Sequence, residues 1–175
     1  MSIEKVREYL NRWGRGKDII ENNVSTATVE LAAAALGVIP ARIAKSISLR
    51  YQRGTFARGR ARWGYTDEEV MMIVTAGDMK LDNKKFRAQF GFKPRMLNPE
   101  EVLRHTGYAV GGVCPFALPP GVKVYLDISL KRFQTVFPAC GSDNSEVELT
   151  IDELEEFSGS AGWVDVCVAI VQPAV

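Results

Sequence analysis

The chain predicts an α+β fold, one mixed sheet flanked by helices. Three observations lead there. Apolar runs of strand character, such as Val70 to Ala76 and Trp163 to Ile170, share the chain with segments that carry helix caps and helical spacing. The two kinds of element are interleaved, but not in the strict alternation of a parallel βαβ sheet. At 175 residues and 46% hydrophobic content, the chain is long and apolar enough for a single domain, residues 1–175, with a real core.

Each element has a local cause. Ile3, Val6, Leu10 and Trp13 recur at helical spacing, so residues 2–13 read as a helix capped by Ser2 and stopped by Gly14. Residues 17–21 read as a short strand around Ile19 and Ile20. Ser25 and Thr26 offer a cap for a helix over 28–36, with Glu30 in its first turn and Gly37 as terminator. Pro40 opens a short helical turn, and residues 45–50 alternate as a strand with one buried face. Residues 51–68 read as a loop with hairpin character. Val70 to Ala76 is apolar throughout, which marks a central strand. Gly77-Asp78 makes a turn, and Asp82 caps a helix over 83–90. Asn98-Pro99-Glu100-Glu101 combines a cap, a proline at the first helical position and an acid in place for a capping box. Strands follow over 122–126, 133–137 and 146–149, then a helix from the Thr150–Glu153 capping box to Phe157, and a last strand over 163–170.

Composition removes several function classes. Lys and Arg number 22 against 21 Asp and Glu, so bulk charge announces no nucleic-acid binder, and no DNA partner is expected. The charge is unevenly spread: no acid occurs from Arg50 to Arg62, and no base from Asp143 to Glu156. Cys114, Cys140 and Cys167 form no Cys-x-x-Cys pair, so neither a zinc site nor a redox pair is expected, and reduced thiols fit best. The first residues lack an apolar signal core and no run is long enough to span a bilayer; a cytoplasmic protein with no membrane partner is the expectation. No Gly-x-x-x-x-Gly-Lys loop is present, which argues against a nucleotide-phosphate site of that type.

The stretch from Tyr108 to Pro119 is too apolar for a solvated linker. Gly111 and Gly112 allow close approach to the main chain, and Pro115 stiffens the loop by fixing its own φ and extending Cys114. Amides in such a loop suit a carboxylate or a developing oxyanion; the plain alternative is a tight turn between helix and strand.

An ordered set of landmarks runs through nearly the whole chain. Ser25-Thr26 precedes an alanine-rich helix, and Ile43-Ala44-Lys45-Ser46 enters a strand. Gly77-Asp78 and Leu81-Asp82-x-Lys84-Lys85 follow, then Thr106-Gly107-Tyr108, Gly111-Gly112-Val113-Cys114-Pro115, Asp127, and Gly141 ahead of Glu146 to Thr150. The set resembles the YbaK/EbsC proteins, which share a domain with the editing insertion of bacterial prolyl-tRNA synthetases. The resemblance implies a single bifurcated mixed β-sheet flanked by helices. It implies a free-standing hydrolase that cleaves the ester of a mischarged amino acid on tRNA, a Cys-tRNA(Pro)- or Ala-tRNA(Pro)-like substrate, with no cofactor or metal and with aminoacyl-tRNA and a synthetase as partners. It places Lys45 on the family's functional lysine, Gly111 to Pro115 on its Gly-x-x-x-Pro loop and Thr28 on a pocket position. Cys114 stands where serine is common, and Ala139 and Glu146 stand where the cysteinyl-editing branch has serine and aspartate, so the amino acid is left open.

An aminoacyl ester is already activated, so its hydrolysis needs little more than oxyanion donors and a positioned water. Lys45, Gly111 and Gly112 are the candidate catalytic residues. Thr28, Ile47, Cys114, Pro115 and Asp127 are candidates to bind substrate, and Arg58, Arg60 and Arg62 to contact the tRNA backbone. His105, the one histidine, sits where a helix C-terminus would favour it, so no Ser-His-Asp triad is supported. The rival reading is a non-catalytic tRNA- or synthetase-binding module of the same fold.

Overall fold

A computed structural model describes residues 2–51 and 69–171, together with the backbone of 54–57 and 60–63. In chain order the elements are α1 (Ser2–Leu10), β1 (Ile20–Glu21), α2 (Val29–Leu36), β2 (Ile43–Arg50), β3 (Gly54–Ala57), β4 (Arg60–Trp63), β5 (Val70–Ala76) and β6 (Met79–Leu81). There follow α3 (Asn83–Phe90), α4 (Pro99–Thr106), β7 (Lys123–Asp127), β8 (Thr135–Pro138), β9 (Ser145–Glu146), β10 (Leu149–Thr150), α5 (Ile151–Ser158), β11 (Trp163–Val164) and β12 (Cys167–Ala169). The expected α+β architecture is what forms. Six strands make one mixed sheet in the order β10-β8-β2-β5-β7-β11, and β1-β9, β12-β6 and β3-β4 are separate two-stranded ribbons. Among the described residues no helix is long and apolar enough to cross a membrane.

β5 is buried at every position and lies between β2, antiparallel along its whole length, and β7, parallel to it. The two faces of the sheet are packed differently. Met72, Val74 and Ala76 face a core with Leu10, Tyr108, Phe116 and Leu154, while Met71 and Ile73 face Leu49, Phe86 and Val166.

β2 positions the site because its second edge is shared. At its start that edge pairs with β8, Ile43 opposite Phe137 and Ala44 opposite Pro138. At its end the edge is taken by residues 95–97: Leu97 N–H donates to Ser48 C=O (3.1 Å) and Arg50 N–H to Arg95 C=O (2.9 Å). Between these two partners, Lys45 to Ile47 have no strand beside them on that edge among the described residues, their other edge being paired with β5. The sheet forks there. An ion pair between Arg50 and Glu101 ties the end of β2 to α4, and so holds one prong of the fork.

Several local expectations are corrected. The first helix ends at Leu10 and tightens into a 3₁₀ turn over Asn11–Trp13. Residues 16–18 form another 3₁₀ turn, leaving only Ile20–Glu21 as strand. Thr28, expected inside a helix, is its N-cap and accepts from Leu31 N–H (3.2 Å), so Ser25 and Thr26 do not cap it. The last strand is broken between Val164 and Cys167, where Val166 N–H turns to the Asp127 carboxylate (3.0 Å). The acids of residues 143–156 are partly used internally: Glu153 pairs with Arg15, Glu148 with Arg42, and Glu156 accepts from the Trp13 indole (3.0 Å).

Candidate active site

The fork of the sheet holds a cavity of about 430 Å³. β2 supplies Lys45, Ile47 and its neighbours, the segment around α2 supplies Thr26 to Val29, and α4 supplies Pro99 and Val102. The glycine loop supplies Val110, Gly111 and Val113, and Ala139 and Glu146 complete the wall. Lys45 and Gly111, far apart in sequence, therefore face one space.

Lys45 is half-buried, and its ammonium donates to the Met79 carbonyl. Burial holds its pKa below the ordinary lysine value, opposed by the nearby Cys167, Glu30 and Asp78. Asp78 is itself engaged by Arg132 in a two-pronged ion pair (2.6 and 3.0 Å), which lowers its carboxyl pKa.

The glycine loop divides its labour. Residues 109–112 form a turn closed by Gly112 N–H donating to Ala109 C=O (3.0 Å), with Gly111 at φ +100 in the position where a type II turn requires glycine. The Gly112 amide is thus committed to the turn and does not point into the cavity. Its lack of a side chain serves packing instead: a Cβ there would lie 2.8 Å from Gly141 C and from Ser142 N. The N–H of Gly111 has no acceptor among the described residues. Neither has that of Ser46, which by strand alternation points into the fork.

Three other expected residues lie off the cavity wall. Cys114 is fully buried, packed in the core with Tyr108 and Phe116, and burial pushes its thiol up to about 12; it is a small apolar filler rather than a wall residue. Pro115 is buried beside it and stiffens the loop from behind. Asp127 is 1% exposed, and its carboxylate accepts from Ser129 N–H and Val166 N–H (both 3.0 Å). Both oxygens are thereby taken up in joining β7 to the β11–β12 crossing. His105 lies in the last turn of α4, also off the wall. Arg60 and Arg62 fall on β4, paired through the backbone with Ala57 and Thr55; Arg58 lies outside the described residues.

Two features carry weight that sequence reasoning did not give them. Glu146 is the only carboxylate on the described wall. It is 2% exposed and held by the Asn22 amide (2.7 Å). Burial raises its pKa, and the side chains of Thr26 and Asn22 work against that rise. The hydroxyls of Ser46 and Ser48, on wall residues, are shielded from solvent and have no hydrogen-bond partner among the described residues. No spacing rule marks these groups, because their proximity depends on which edge of β2 is left open. Among the described residues no three His, Cys, Asp or Glu side chains are grouped to hold a metal ion.

The chain matches the aminoacyl-tRNA editing domain family over residues 23–157 and belongs to it. It is 53% identical over 167 residues to the Bacillus subtilis (strain 168) protein YwhH, itself uncharacterized, covering 95% of this chain and 98% of that one. The crystal structure of a proposed trans-editing enzyme for prolyl tRNA synthetase is similar at TM-score 0.78 and 27% identity, over 96% of this chain and 98% of that one. The hypothetical protein APE2540 gives TM-score 0.75 at 29% identity, over 94% and 99% of the two chains.

Proposed function

We propose that this protein is a free-standing, cytoplasmic deacylase that hydrolyses the ester between a mischarged amino acid and tRNA, the whole chain acting as one editing domain. The observation that carries the reading is the shared cavity: a desolvated cation, an unengaged glycine amide and a single carboxylate face one space sized for an amino acid and its ester. In this reading Glu146 receives the α-ammonium of the aminoacyl group. Gly111 N–H and Ser46 N–H, both from residues of the cavity wall, donate to the ester carbonyl as it becomes an oxyanion, a contribution of about a hundred- to a thousandfold per donor. Lys45 holds the ribose–phosphate end and supports the departing oxygen. Water adds to the carbonyl carbon, the carbon–ribose oxygen bond breaks, and the proton released by water ends on the ribose oxygen, giving free amino acid and uncharged tRNA. Thr28 and Ile47 shape the amino-acid end. The similarity to a proposed trans-editing enzyme of prolyl-tRNA synthetase supports tRNA(Pro) carrying a small wrong residue as substrate, with that synthetase as a partner.

A panel of mischarged tRNAs tests the reading. The wild-type protein is expected to release free amino acid from at least one of them well above the uncatalysed rate, and Lys45→Ala to lose about a hundredfold or more of kcat/KM. Binding of charged tRNA without release would leave the non-catalytic module instead.

A further inference from the structure

A second cavity, of about 410 Å³, adjoins the first, and Lys45, Ile47 and Met96 line both. Met96 is held there by its backbone. It bridges to Leu49 of β2, and its neighbours Arg95 and Leu97 are hydrogen-bonded through their main chains to Arg50 and Ser48. The residue is nevertheless 65% exposed. That sets it apart from the other sulfur groups. Of the five methionines, Met1 lies outside the described residues, Met71 and Met72 are fully buried in β5, and Met79 is half-buried against both cores. Cys114, Cys140 and Cys167 are all buried. Burial pushes the thiols of Cys114 and Cys167 up to about 12 and that of Cys140 well above its ordinary value, so little reactive thiolate forms near neutral pH. Oxidants of the peroxide type attack thiolates and accessible thioethers. Among the described residues one sulfur meets that condition, and it stands on the wall of the candidate site.

We infer that Met96 is an oxidation site through which hydrogen peroxide reversibly lowers the activity of the cavity in the fork. The sulfur lone pair attacks one peroxide oxygen and the O–O bond breaks. The proton on the attached oxygen passes to the departing hydroxide, giving sulfoxide and water. Sulfur is oxidised by two electrons and peroxide is reduced by two. A thiol-dependent sulfoxide reductase reverses the change, two thiols becoming a disulfide while the oxygen leaves as water. A thioether is apolar and adapts to what it touches, whereas a sulfoxide is polar and chiral. The cation that lines both cavities with it is the Lys45 ammonium, now bonded to the Met79 carbonyl. An acceptor oxygen on the shared wall draws that ammonium off the ester and puts polar surface where the wall was apolar. Because the backbone of 95–97 is bonded to β2, the change is confined to the wall and the fold is kept. The place of oxidation follows from exposure alone; its effect on turnover rests on the deacylase reading.

The test treats the full-length protein with hydrogen peroxide, removes the excess with catalase, and maps the added oxygen by peptide mass spectrometry. Met96 is expected to gain its oxygen at least fivefold faster than Met71, Met72 or Met79, with the three thiols unchanged. Over the same time course, kcat/KM for the mischarged tRNA that wild type hydrolyses best is expected to fall at least fivefold, in step with the fraction of Met96 sulfoxide. Methionine sulfoxide reductases acting on both sulfoxide epimers, supplied with a dithiol, are expected to restore it. Met96→Leu, a swap that conserves volume, is compared only with itself: whatever its own starting rate, it is expected to keep that rate through the treatment. Full conversion of Met96 with an unchanged rate would overturn the inference while sparing the deacylase, and so would a Met96→Leu protein that loses activity in step with wild type. Should wild type hydrolyse none of the mischarged tRNAs, the deacylase reading fails by itself. Binding of the same charged tRNAs before and after peroxide then decides: binding weakened in wild type and kept in Met96→Leu supports the oxidation site, and equal binding in oxidised and untreated wild type overturns it.

Discussion

At the scale of single residues, Glu146 sets the expected pH behaviour. A carboxylate on a cavity wall loses hydration, so its folded pKa lies above the ordinary value of 4.5. The sign for stability follows. Below 4.5 the group is protonated in folded and unfolded chains alike, and its contribution to stability is complete; as pH rises through the raised folded pKa, that contribution is lost. Recognition of an ammonium has the opposite demand, since it needs the ionised form. The acid limb of kcat/KM is therefore expected above pH 4.5. Glu146→Gln is expected to remove that limb, to raise KM about tenfold or more, and to raise the thermal midpoint near neutral pH by lifting the cost of a buried charge. Midpoints and pH–rate profiles of the two proteins check all three, and an unshifted acid limb with unchanged KM would remove Glu146 from ammonium binding.

At the scale of elements, Gly112 decides whether the 109–115 loop can sit where it does. The Cβ of Gly112→Ala would meet backbone atoms of Gly141 and Ser142 at 2.8 Å, and backbone cannot swing aside as a side chain does. Overpacking of this kind costs about 1–3 kcal/mol. The loop carries Gly111 into the cavity, so kcat is expected to fall along with the thermal midpoint, whereas a purely structural defect remote from the site would lower the midpoint alone. Helices are the elements most legible in the sequence, because their ends are written locally: Asp82 caps α3, Asn98 and Glu101 close a box on α4, and Thr150 and Glu153 on α5. Strands are less legible where pairing is distant. β6 leaves no local signal because three residues, Met79–Leu81, become a strand only against Cys167–Ala169 near the other end of the chain. For the same reason Trp163 to Ile170 reads as one apolar run but divides between two sheets.

At the scale of the whole molecule, the legible part of the site is the part that local chemistry marks: a lysine entering a strand, a glycine pair, a threonine cap. What could not be read is which strand edge stays open, since that depends on where β8 leaves β2 and residues 95–97 take over. Asp127 shows the same limit from the other side. A strand-end carboxylate looks available for substrate, yet here it binds together three separate pieces of chain: the end of β7, the 3₁₀ turn Ile128–Arg132, and Val166. Removing the carboxylate leaves two buried N–H groups without an acceptor, at about 1–3 kcal/mol each. For a chain of this size the midpoint falls by about 2–4 °C per kcal/mol. Asp127→Ala is thus expected to melt several degrees lower while keeping kcat/KM close to wild type when assayed well below its midpoint. The reverse outcome, an unchanged midpoint with activity gone, would return Asp127 to the substrate and would mean that the cavity in the fork is not the whole of the site.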